Sequence, residues 1–166
     1  SDFGSSFGNN MNLPITTSND YSQYLPSATV SNNNLYLVWT DTLKNEVVLI
    51  KDNDKENPFN ERVVLGINGW SPQVYSVDEN VYVIFRVDND IIFRVSYDNG
   101  TTFESQINLS NNSAVSNIFD EKSNFLFANE KNVYVIWKEK NDSYSNDIYS
   151  YNDDYYDLYF RHSNDN

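Results

Sequence analysis

The sequence predicts an all-β protein made of three similar units, each of four short antiparallel strands. Three observations predict it. Aromatic residues form 16% of the chain, with 13 Tyr, 10 Phe and 3 Trp, and such side chains suit half-buried pleated surfaces better than helices. Long stretches of good helix formers at helical spacing are absent. A phrase recurs, and repeats decide architecture: "NNNLYLVWTD", "DENVYVIFRVD" and "EKNVYVIWKEK" end their apolar runs at Trp39, Phe85 and Trp137, 46 and then 52 residues apart.

Each run is short, β-branched and aromatic, and follows a polar Asn-containing turn. Apolar at nearly every position, these are expected to be strands covered on both faces. A second strand follows each: "EVVLIKD" from Glu46, "DIIFRVS" from Asp90 and "DLYFRHS" from Asp157. A weaker one precedes each: "PSATV" at Pro26, "SPQVYSV" at Ser71 and "SNFLFA" at Ser123. A tight turn and a fourth strand lie in "SYDNGTTFESQINLS", from Ser96 to Ser110. The first unit carries a worn version, "DNDKENPFNERVVL", in which Asp54 stands for Asp98 and Phe59 for Phe103. Four strands in roughly 40–50 residues is the arithmetic of a β-propeller blade. A solenoid of stacked hairpins is the competing architecture. The predicted divisions are a half-turn and closing strand at 1–14, blades at 15–66, 67–110 and 111–166, and an acidic, Tyr-rich insertion at 141–156.

Ser96, Asp98, Gly100 and Phe103 spell the pattern S-x-D-x-G-x-x-[WF]. This resembles the Asp-box of sialidase-like (BNR-type) β-propeller repeats, and the surrounding phrases are similar to secreted Asp-box repeat proteins common in archaea. The resemblance implies a propeller fold and an extracellular or cell-surface location, with Asp-boxes away from any active site. The residues also have a local physical reason. An Asp side chain accepts N–H groups of its own turn, and Gly permits positive φ there. The aromatic anchors the turn from beneath. Asp98 is therefore expected to be structural, not catalytic.

The two ends of the sequence complement each other. "FRHSNDN" aligns with "FRVSYDN", so Ser163 matches Ser96 and Asp165 matches Asp98. "SDFGSSFGNNMNLP" aligns without a gap with "YDNGTTFESQINLS": Asp2, Gly4, Phe7 and Leu13 meet Asp98, Gly100, Phe103 and Leu109. The stretch from about Ser5 to Leu13 thus reads as a fourth strand, which the third unit lacks. Unpaired strand edges favour being filled, yet three blades are too few for a ring that typically has four to eight. Three arrangements fit: two chains exchanging terminal strands in a six-bladed ring, an open head-to-tail filament, or an excerpt of a longer propeller. Self-association through the terminal strands is the partner expected first, ahead of glycans or other surface proteins.

The formal net charge of −13 argues against a nucleic-acid partner, itself a polyanion. No apolar run of about 18 residues occurs, so this sequence holds no membrane-spanning helix. It has no cysteine, hence no disulfide or thiolate site.

The resemblance to sialidases raises a catalytic set of three carboxylate-binding arginines, a Tyr–Glu nucleophile and an Asp acid/base. Only Arg62, Arg86, Arg94 and Arg161 are available, and Arg94 and Arg161 share one repeat position, as scaffold residues do. The family's Arg-Ile-Pro motif is absent: "NLPIT" at Asn12 has no arginine. A non-catalytic assembly module is therefore expected, with no catalytic residue assigned. A glycan-binding or sialidase-like hydrolase propeller is the alternative. His162, the sole histidine, stands where Val95 stands in the earlier repeat and is expected to pack on its strand.

No cofactor is expected unless it is calcium. Asp52, Asp54 and Glu56 alternate like the start of an oxygen-rich calcium loop, without the Gly and distal Glu of an EF-hand. Asp147, Asp153 and Asp154 in the insertion form a second candidate set. Of four Asn-x-Ser/Thr sequons, Asn99 sits inside the tight turn and is the poorest; Asn108, Asn111 and Asn141 are the glycosylation candidates for an exported chain.

Overall fold

The computed structural model describes residues 9, 23–52, 61–110, 124–130, 132–140 and 156–163. These form three antiparallel sheets. Sheet 1 runs in order β1 (Gln23–Ser31), β2 (Asn34–Asp41), β3 (Glu46–Asp52) and β4 (Glu61–Ile67). Sheet 2 repeats this with β5 (Gly69–Val77), β6 (Asn80–Val87), β7 (Asp90–Ser96) and β8 (Ile107–Asn108). Sheet 3 has β9 (Asn124–Ala128), β10 (Val133–Lys140) and β11 (Tyr156–His162), with β10 in the centre.

Short-range chemistry sets the hairpins. Asn32 and Asn33 take φ of 49° and 62° between β1 and β2, the left-handed pair a tight two-residue hairpin needs and Asn tolerates. Asp78 (φ 51°) and Asp88 (φ 52°) occupy hairpin turns of sheet 2. A bulge recurs as well. Leu25 and Ser71 hold φ of 54° and 52°, each at the break in register between the first two strands of its sheet.

Sheet 2 lies between the other two. In the first seam, Tyr36, Val38, Leu49 and Leu65 of sheet 1 pack on Val81, Val83, Phe85 and Ile92 of sheet 2, all buried. Phe85 is seated against two glycines: a methyl at Gly66 would stand 2.7 Å from its ring, and one at Gly69 would stand 2.9 Å from it. The edge where β1 meets β5 is polar. Thr29 Oγ1 lies 3.1 Å from Ser76 Oγ, and Ser31 Oγ donates to the Asp78 carbonyl at 2.7 Å. In the second seam, Tyr82, Ile84, Ile91 and Val95 meet Leu126, Val135 and Trp137. There the Trp137 indole N–H donates to buried Glu139 at 2.6 Å, which keeps both polar groups satisfied.

One expectation needs correction. Coverage on both faces holds for the middle of β2 and β6 but not for β10, where buried Val135, Trp137 and Glu139 alternate with half-buried Tyr134, Ile136 and Lys138. The reason is position. Sheet 2 covers one face of sheet 3, while on the other Phe125, Phe127, Leu158 and Phe160 are 51%, 51%, 79% and 56% exposed. The expected fourth strand of sheet 2 is present as Ile107–Asn108, flanked by backbone bonds from the Leu109 N–H to the Ile91 carbonyl and from the Glu104 N–H to the Val95 carbonyl.

Candidate functional site

The turn between β7 and β8 is a dense hydrogen-bonded network. Asp98 Oδ1 accepts the N–H groups of Thr101 (3.1 Å) and Thr102 (2.8 Å) and the Ser96 hydroxyl (2.7 Å), while Oδ2 accepts the Thr102 hydroxyl (2.6 Å). Ser96 Oγ in turn accepts the Gly100 N–H at 2.8 Å. Asn99 (φ 56°) and Gly100 (φ 77°) supply the left-handed residues. Gly100 is also close-packed: a methyl there would stand 3.1 Å from the Tyr36 ring. The hydrogen bonds from Thr102, Ser96 and Thr101 hold the Asp98 carboxyl at about 2, below its ordinary 3.8. All four acceptor bonds of this carboxylate are spent on its own turn.

Behind the turn, Phe103 packs on the first seam's core. Arg94 threads the same place. It donates to the carbonyls of Leu65 (2.8 Å), Phe103 (3.0 Å) and Glu104 (3.0 Å), and its guanidinium lies 5.9 Å from the Phe103 ring centre. Partial burial lowers its pKa somewhat without threatening its charge. Its donors are engaged by backbone, so it is unlike an arginine waiting for a substrate carboxylate. Arg62 pairs with Asp41 at 3.5 Å and with Glu46. These two arginines point at different partners and form no converging clamp.

The second seam differs. Between sheets 2 and 3 opens a cavity of about 540 Å³, lined by Tyr82, Phe93 and Leu109 on one side and by Val135, Arg161 and Ser163 on the other. The Val133 N–H donates to Ser163 Oγ at 2.8 Å at its rim. His162 is exposed on β11, its ring 6.4 Å from that of Tyr134 and 5.7 Å from that of Phe160.

The other sequence-predicted residues are scattered. Asp52 ends β3, half-buried, whereas Asp54, Glu56 and Phe59 lie outside the described residues. Among the described residues no three carboxylate, His or Cys side chains group in a way that could hold a metal ion. Asn108 is exposed on β8 with its side-chain oxygen accepting the Ser110 hydroxyl at 3.2 Å. Asn111, Asn141, Asp2, Gly4, Phe7, Asp165 and the insertion carboxylates lie outside the described residues. Sequence reasoning missed the cavity. Its apolar lining is made of strand residues that read as ordinary core, and the available signal was the repeat position of Arg161.

No family model matches the chain, and no curated protein matches it. Among solved structures it is similar to an exo-β-1,3-galactanase from Clostridium thermocellum, at 10% sequence identity and a TM-score of 0.47. The match covers 71% of this chain and 27% of that one, so the chain spans about a quarter of that protein's length.

Proposed function

We propose that the three sheets are blades of an Asp-box β-propeller module, exported and non-catalytic, whose role is assembly. The strand from about Ser5 to Leu13 of one copy adds to the outer edge of sheet 3 in another. The observation that carries this is a difference between equivalent edges. β3 and β7 each pair with a fourth strand, β4 and β8, while β11 has only β10 beside it among the described residues. The segment that repeats the β8 sequence lies in residues 1–13, ahead of β1. Backbone pairing supplies affinity in such strand addition, and alternate side-chain pockets supply specificity.

Depending on the angle between copies, the same contact closes a twofold ring or propagates a filament. Light scattering and electron microscopy of the full chain and of a chain lacking residues 1–13 test the reading. Assemblies with the full chain and single chains with the truncated one support it. Equal behaviour of the two, or a full chain that stays single at every concentration, overturns it.

A further inference from the structure

The cavity between sheets 2 and 3 has a filled counterpart in the same molecule. Its lining residues correspond position by position to the first seam: Tyr82 to Tyr36, Phe93 to Leu49, Leu109 to Leu65, Val135 to Val83 and Arg161 to Arg94. In the first seam these residues close around the Gly100–Phe103 turn. Gly100 lies against Tyr36, Phe103 packs into the cluster, and Arg94 binds three backbone carbonyls around it. Two nearly identical sets of walls therefore exist, and only one has its aromatic plug among the described residues.

We infer that the cavity is a binding site for a turn-and-strand peptide carrying a phenylalanine, and that its occupant is residues 2–13 of a second copy, with Phe7 in the cavity. The inference rests on the assembly reading and names the pocket that would make that assembly specific. The gap-free alignment fixes the register. Gly4 takes the place of Gly100 against Tyr82, and Phe7 takes the place of Phe103 among Tyr82, Phe93, Leu109 and Val135. β7 pairs Phe93 with Ile107 and Ile92 with Asn108; by the same register Phe160 pairs with Met11 and Tyr159 with Asn12. Arg161, which lines the cavity, binds the carbonyls of Phe7, Gly8 and Leu109 as Arg94 binds those of Phe103, Glu104 and Leu65.

The donor is a second copy because residues 2–13 lead into β1, in sheet 1. Sheet 2 stands between sheet 1 and β11, whereas another chain's segment can approach β11 along its outer edge. A buried aromatic surrounded by apolar walls and an arginine is the usual make-up of an interface hot spot.

The test uses full-length chains in sedimentation velocity, with circular dichroism as the check on folding. Phe7→Ala removes the plug and Leu109→Trp fills the cavity; each is expected to weaken self-association about tenfold or more. Arg161→Ala is a second, gentler receptor variant that leaves the apolar walls intact. Mixing Phe7→Ala with Leu109→Trp restores one complete interface, so the mixture forms pairs where each variant alone stays single. Wild-type association by Phe7→Ala, while deletion of residues 1–13 abolishes it, leaves strand addition standing and shows that the cavity does not take Phe7. Folded, single variants that do not complement on mixing exclude the second copy as donor.

Discussion

Between sheets 1 and 2, Tyr36, Leu49 and Leu65 face Val81 and Val83 with Phe103 packed among them. Between sheets 2 and 3, Tyr82, Phe93 and Leu109 face Val133 and Val135 across a cavity. The walls are the same kind of strand residue at the same repeat positions. What differs is that the first seam's plug is local, reaching its pocket from β7 through a turn of a few residues. Its aromatic, its arginine and its Asp98-held turn act as one unit, and that unit belongs to intrachain stability. Under the proposed assembly, the corresponding unit of the second seam is divided between distant stretches of sequence, and its completion is a binding event, dependent on concentration in a way that the first seam is not.

This contrast can be broken at the first seam's centre. Phe85→Ala removes a fully buried ring and is expected to cost about 3–5 kcal/mol in urea unfolding. Phe103→Ala, at a half-buried position, should cost roughly 2 kcal/mol of single-chain stability. Phe7→Ala should leave single-chain stability unchanged when measured well below the association range. Equal destabilisation by the two would mean that both plugs are intrachain. The arginines make the same test at smaller scale. Arg94→Ala strands three backbone carbonyls and should cost about 1–2 kcal/mol, while Arg161→Ala in the single chain should stay within about 0.5 kcal/mol.

The smallest effect is a pH dependence. Asp98 is held at about 2 in the folded chain against 3.8 ordinarily. A carboxyl lowered on folding contributes stability that is full above its unfolded value and is lost as pH falls through its folded value. The stability advantage of the wild type over Asp98→Asn should therefore be constant near neutrality and shrink from about pH 4 towards pH 2, as followed by thermal unfolding across that range. A difference that stays flat down to pH 2 would show that the carboxylate's charge is not what holds the turn.

Much of the strand layout was legible from the apolar runs. β2, β6 and β10 lie under the three repeated phrases, and β3, β7 and β11 under the runs that follow them, because alternation and β-branched content are local signals. The bulges were not legible. Leu25 and Ser71 carry positive φ with no glycine to mark them, and only the register of neighbouring strands requires them. The buried Trp137–Glu139 pair was hidden for a similar reason: it lies on the face of β10 that sheet 2 covers, and that packing is not a local signal. Arg94 was legible as scaffold through its repeat position, but its three carbonyl partners come from two sheets. The cavity is a product of packing between sheets, which no single stretch of sequence encodes.

Residue 7 of one chain is proposed to enter the seam between sheets 2 and 3 of another. The chain has no cysteine, so two single-cysteine chains, Phe7→Cys and Leu109→Cys, can be mixed and treated with a short thiol-reactive cross-linker. A mixed cross-linked pair is expected on a denaturing gel, suppressed by excess unlabelled wild-type chain. If cross-links between the two variants form no more often than with a cysteine placed on exposed Val30 (67% exposed on sheet 1), the claim is contradicted.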